Sequence, residues 1–220
     1  MNEHQFIFIG LSRERTNFFD LAEWANYVFE YEKLTETVTY GQLNYLTVYF
    51  TLGEDMKHWN KDKTMPKTLE MLENELKKLK LCDGNDKRST KLLVTEESLW
   101  TVEHGYRENW KNFTQAFLSK LVSLCASNSN VQIVYKTATS LRNQYGSLSW
   151  QRMYEATRVA KEIAQSLDLF VLDSFMVTQP LTPEKWAFPD GLHLFSDIKF
   201  QGNIVSKTIS MMFLKQVCSK

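Results

Sequence analysis

Asp190 and His193 stand three residues apart in Asp190-Gly191-Leu192-His193, near the carboxyl end of the chain. Near its start, Ser12 follows the apolar run Phe6-Ile7-Phe8-Ile9-Gly10. A serine hydroxyl is a weak nucleophile at neutral pH and needs an adjacent base. An imidazole supplies that base when a carboxylate fixes its tautomer and supports the imidazolium. A carboxylate three residues before the imidazole lets one short turn hold both partners. The chemistry open to such a set is attack on an acyl carbonyl. Each part has a plain reading too. Ser12 is then a helix-capping serine after a tight turn, Asp190 a turn residue before Gly191, and His193 a loop histidine bonded to backbone.

The elements that must position these groups alternate along the chain. Residues 5–10 read as a buried strand, followed by a helix over about 15–33 with Phe18, Ala22, Ala25 and Phe29 in one stripe. Residues 44–52 alternate as a half-buried strand. Thr64 and Pro66 open a helix striped by Leu69, Leu72, Leu76 and Leu79. Short strands are predicted at 91–95, 131–135 and 169–172. Helical spacing runs between them, first through Trp110, Phe113, Phe117 and Leu121, then through Met153, Ala156, Ala160 and Ile163. A long loop with three prolines leads to a closing helix over about 196–214. The expectation is a single domain over 1–220, a three-layer α/β/α sandwich with a mostly parallel five-stranded sheet of flavodoxin-like type. In such a sheet ligands bind beyond the carboxyl ends of the strands. Ser12 after the first strand and Asp190 and His193 after the fifth come out on that one edge.

Composition bounds the rest. The chain has 220 residues, with 26 basic and 26 acidic side chains and zero formal charge, which argues against a nucleic-acid partner held by bulk electrostatics. No apolar stretch is long enough to span a membrane, so no membrane span is expected. Cys82, Cys125 and Cys218 are far apart and have no zinc spacing, so neither metal nor cofactor is implied. They read as free thiols of a reducing compartment, with one disulfide plus an odd thiol as the alternative. No signal-peptide pattern opens the chain, which reads as cytoplasmic as it stands. A secretory lumen remains open if it is part of a longer precursor. The sequon Asn112-Phe113-Thr114 points toward secretion.

The segment Ile9-Gly10-Leu11-Ser12-Arg13-Glu14-Arg15 resembles the Gly-Asp-Ser-x-x-Arg opening of the SGNH/GDSL hydrolase superfamily. Ser98-Leu99-Trp100, Val134-Tyr135-Lys136-Thr137-Ala138 and Val171-Leu172-Asp173 are similar to later blocks of its PC-esterase-like branch, as is Asp190-Gly191-Leu192-His193. The resemblance implies a serine esterase or O-acyltransferase acting on a small acyl ester, on a glycan or a lipid, without metal or cofactor. By it Ser12 is the nucleophile, His193 the base, Asp190 its orienting carboxylate and Arg15 a structural donor. Ser12 and Gly53 would serve the oxyanion, and Trp100 and Trp186 would wall the pocket. Two departures stand out. Leu11 replaces the aspartate before the nucleophile, and Glu96 or Glu97 falls where the oxyanion asparagine is expected. These motivate an alternative, a catalytically weakened SGNH-fold module that binds a ligand or partner. A flavodoxin-like binding domain is a third reading, but Gly10-Leu11-Ser12-Arg13-Glu14 makes a poor phosphate loop. His104 beside Glu103, His58 beside Trp59, and Lys77, Lys78 and Lys80 read as surface features.

Overall fold

The first apolar run becomes β1 (His4–Gly10) in a computed structural model that describes residues 4–10, 12–25, 38–40, 43–47, 61–78, 89–94, 107–142, 148–194, 196 and 201–218. There follow α1 (Ser12–Trp24), β2 (Val38–Tyr40), β3 (Leu43–Thr47), α2 (Lys61–Lys78), β4 (Ser89–Val94) and α3 (Arg107–Cys125). The second half contributes β5 (Val131–Lys136), α4 (Trp150–Ser166), β6 (Phe170–Leu172), α5 (Ser174–Thr178), a 3-10 turn (Gln179–Leu181) and α6 (Ile204–Cys218).

The strands form one sheet in the order β2-β3-β1-β4-β5-β6. Strands β3, β1, β4, β5 and β6 run parallel, whereas β2 pairs antiparallel with β3. The sheet thus has six strands among the described residues, not the expected five. The added one, Val38–Tyr40, spans three residues, too few for alternation to register in the sequence.

Side chains of β1 alternate between two cores, as a strand's period of two requires. Ile7 and Ile9 pack with Leu92, Val94 and the buried stripes of α2, α3 and α4. Phe6 and Phe8 face the other way, onto Phe18, Phe19, Ile209 and Phe213 of α1 and α6. Helices therefore cover both faces, the α/β/α arrangement. Phe8 meets Phe18 and Phe213 edge-to-face, each at a ring separation of 5.9 Å. Burying a phenylalanine fully is worth about 1.5–3 kcal/mol, and edge-on pairs add about 0.5–1.5 kcal/mol. These contacts seat α1, whose first residue is Ser12, against the strand that precedes it.

Three expectations need correction. The closing helix begins at Ile204, not near 196, because Asn203 caps it: the amides of Val205 and Ser206 donate to Asn203 Oδ1 at 3.0 and 3.2 Å. Ser196 is instead tied back to Gln201 by a backbone bond of 2.8 Å. The proline-bearing loop holds α5, capped by Asp173, whose side chain accepts from the Met176 amide at 3.2 Å. Cys125 is disulfide-bonded and, among the described residues, Cys218 is an exposed free thiol, so the all-thiol reading gives way to its alternative. Cys82 lies outside the described residues, as do positions 26–33 of the first expected helix and 48–52 of the second strand.

Candidate active site

Ser12 is the first residue of α1, two positions beyond the last residue of β1. From β1 the chain moves to β3 on one side and then crosses to β4 on the other. This reversal makes the carboxyl end of β1 a topological switch point, where open α/β sheets bind ligands. A helix N-terminus there also presents unpaired N–H groups and the positive end of a dipole.

The Asp190–His193 turn is held from several sides. Gly191 adopts φ 85°, a left-handed conformation that glycine takes without a Cβ penalty. Its amide donates to Phe188 O at 3.0 Å, while its carbonyl accepts from the Arg142 amide at 3.0 Å. Phe188 on one side and Leu194 on the other are buried in the α1/α6 core, so both ends of the turn are anchored. Asn203 completes the clamp, since its Nδ2 donates to Ala187 O at 2.9 Å and its amide to Leu194 O at 3.0 Å.

Within the turn, Asp190 Oδ1 accepts from the amides of Leu192 and His193 at 2.9 and 2.7 Å. Asp190 Oδ2 lies 2.6 Å from His193 Nδ1. Partial burial works against the carboxylate, but the His193 ring and the two amides outweigh it and hold the carboxyl well below the ordinary carboxylate range. An ionised Asp190 can only accept, so Nδ1 is the ring nitrogen that carries a proton toward it. The imidazole is 15% exposed and the carboxylate 45%.

Two features connect this turn to α1. A small cavity of about 10 Å³ is lined by Thr16 and Asn17, by Lys136 and Thr139 at the end of β5, and by Leu194 and Ser206. Its lining takes Thr16 from one turn past Ser12 and Leu194 from the position after His193. It is too small for a substrate and about the size of one water. Beneath it, Asp20 Oδ2 accepts from Ser206 Oγ at 2.7 Å and Ser210 Oγ at 3.0 Å, and Asn17 Nδ2 donates to Ser210 Oγ at 2.8 Å. This buried network bolts α1, which starts at Ser12, to α6, which follows His193. Burial pushes the Asp20 carboxyl up to about 7, against the lowering effect of the Ser206 and Ser210 hydroxyls and Lys207. A wider cleft of about 440 Å³ opens at the opposite edge, by Val131, Asp168 and Phe170, and holds none of these residues.

The other expected residues divide. Trp186 is half-exposed in the same loop, four positions before Asp190, with its carbonyl 3.4 Å from Asn203 Nδ2. Arg15 lies on α1. Gly53, Trp100, Leu11, Glu96, Glu97, His58, Trp59, Glu103, His104 and Lys80 lie outside the described residues. Lys77 and Lys78 are surface groups, paired with Glu73 and Glu75. Asn203, Asp20, Ser206 and Ser210 were not anticipated. Asp20, a carboxylate set among Phe18, Phe19, Leu21 and Ala22, was a readable anomaly.

No family model matches the chain, and no curated protein sequence matches it. Solved structures do. A member of the lipolytic G-D-S-L family from Veillonella parvula superposes with a TM-score of 0.56 at 9% identity, over 99% of each chain. A lipase/acylhydrolase from Enterococcus faecalis gives 0.53 at 11% identity, over 96% of each. A catalytic mutant of Axe2, an acetylxylan esterase from Geobacillus stearothermophilus, gives 0.53 at 11% identity, over 99% of this chain and 94% of that one. The chain therefore shares the fold of these solved structures over nearly its whole length. Among the described residues no helix is long and apolar enough to cross a membrane, and no cluster of metal-ligating side chains occurs.

Proposed function

We propose that this protein is an SGNH-type serine hydrolase that cleaves a small acyl ester through Ser12, His193 and Asp190. The observation that carries the reading is the hydrogen-bonded Asp190–His193 pair, fixed on the sheet edge from which α1 begins at Ser12. In this reading Ser12 Oγ attacks the acyl carbonyl while His193 Nε2 takes its proton. The alcohol departs with that proton, leaving an acyl-enzyme that water resolves, or a second hydroxyl in a transferase. The Ser12 amide at the head of α1 and the Gly53 amide would face the oxyanion, and Trp100 and Trp186 would border the acyl or acceptor site. The fold shared with esterases and acylhydrolases supports the substrate class. The finer resemblance, to the PC-esterase-like branch, rests on the sequence blocks alone.

A second reading has its own support in the sequence. Leu11 stands where the fold's hydrolases are expected to carry aspartate, and Glu96 or Glu97 where an oxyanion-binding asparagine is expected. A carboxylate there would repel a developing oxyanion, and losing one such donor costs about 10²–10³ in rate. A binding module with a relict triad would keep the Asp190–His193 turn and lose turnover. A fluorophosphonate probe and a chromogenic short-chain ester separate the two. Labelling at Ser12, with turnover lost in Ser12→Ala and His193→Ala, is the result expected of a hydrolase. Folded wild-type protein that neither labels nor turns over would establish the binding module instead.

A further inference from the structure

We propose that Asn112 is the attachment site of an N-linked glycan, added while the chain enters an oxidising secretory lumen. Two independent observations on α3 lead there. The first is Asn112-Phe113-Thr114, an acceptor sequon with no proline at its centre. The second is Cys125 at the end of the same helix, which is disulfide-bonded. Disulfides form and persist where thiols are not kept reduced, which is also where oligosaccharide is transferred to asparagine.

The geometry of α3 decides when the transfer happens. Asn112 is exposed, whereas Phe113 and Thr114 are each 1% exposed and face the core. Thr114 Oγ1 donates to Trp110 O at 2.9 Å, one turn back. The hydroxyl that an acceptor sequon must present is thus turned inward in the folded protein. Transfer has to precede the docking of α3, on the extended chain, and the folded protein is no acceptor. Once α3 forms, Asn112 points its load at solvent and the core packs as before. In the transfer itself, Asn112 Nδ2 bonds to the anomeric carbon of a lipid-diphosphate-linked oligosaccharide. The bond from that carbon to the diphosphate oxygen breaks, the amide loses one proton, and the lipid diphosphate leaves.

The test expresses the full chain behind a cleavable secretory leader in eukaryotic cells. Mass is read from both the medium and the membrane-protected pool, so retention inside the cell does not remove the readout. Wild type should lose the mass of one glycan on treatment with peptide N-glycosidase, with Asn112 converted to aspartate. Asn112→Gln and Thr114→Ala should show no shift, and Thr114→Ser should keep it. Because Asn112 is exposed, Asn112→Gln should match the deglycosylated protein in its melting curve. Thiol titration of the unreduced, denatured protein should find one thiol. An unmodified Asn112 in the translocated chain overturns the proposal. So does a shift that persists in Asn112→Gln, or three titratable thiols.

Discussion

The Asp190 carboxylate holds the ring and the backbone of His193 at once: Oδ2 lies 2.6 Å from Nδ1 while Oδ1 accepts the His193 amide at 2.7 Å. One side chain therefore sets both the tautomer of the imidazole and the turn that carries it. Replacing Asp190 with asparagine keeps the shape but removes the charge that makes Nδ1 the protonated nitrogen. Turnover of a short-chain ester should fall by about 10²–10⁴, with KM little changed. The sign with pH follows from the depressed carboxyl. Its contribution to stability is present above the unfolded value near 4 and is lost as pH falls through the lower folded value. Asp190 thus stays ionised throughout the working range, and any acid limb of the rate profile below neutrality belongs to another group.

Gly191 sits between those two residues at φ 85°. An alanine there pays about 1 kcal/mol for the left-handed backbone. The cost to activity should be larger than that figure explains, because the strain falls between Asp190 and His193. We expect a loss of stability of about 1 kcal/mol by chemical denaturation. The same protein should lose at least about tenfold in kcat/KM, as a small misplacement of a catalytic group commonly costs more than its stability.

The places where sequence reading succeeds and fails have physical causes. Strand β1 and its alternating Phe6, Ile7, Phe8 and Ile9 were legible because a strand buried on both faces is apolar throughout. The Asp190–His193 pair was legible because three residues is the span of one turn. Strand β2 was not, since three residues carry no period. The start of α6 was misplaced because the capping role of Asn203 outranks the apolar residues before it. The Asn17–Asp20–Ser206–Ser210 network joins positions some 190 apart, and only the fold brings them together.

That network makes stability depend on pH. Asp20 is 1% exposed, its Oδ2 takes two hydroxyl donors, and its Oδ1 finds no partner among the described residues. Burial therefore raises its carboxyl to about 7, with Glu23 adding slightly and Ser206, Ser210 and Lys207 opposing. Between the unfolded value near 4 and this folded value, the native state binds more protons than the unfolded one. The contribution is complete below about pH 4 and declines as pH rises toward 7, by up to about 1.4 kcal/mol per pH unit. Denaturation midpoints taken from pH 4 to 8 should show that decline in wild type. Asp20→Asn, which cannot titrate, should flatten it.

Gly202 tests the same network sterically. A Cβ at this position would lie 2.2 Å from Asp20 Oδ1 and 2.8 Å from Ser206 Oγ, far inside contact distance. The end of a flexible side chain could swing aside, but Asp20 is buried and pinned through Oδ2 by Ser206 and Ser210. Relief would have to come from a shift of α1 against α6, at the cost of the Phe8, Phe18 and Phe213 contacts. Gly202→Ala should therefore destabilise by about 1–3 kcal/mol, the range for overpacking a filled interior. Asp20→Ala removes the atom that clashes, so the double variant should recover part of that loss despite forfeiting two hydroxyl bonds. A double-mutant cycle should show coupling of at least about 1 kcal/mol, where independent sites would add within about 0.5 kcal/mol. Additive effects would mean that the carboxylate moves freely, and that α1 and α6 are held by their aromatic contacts alone.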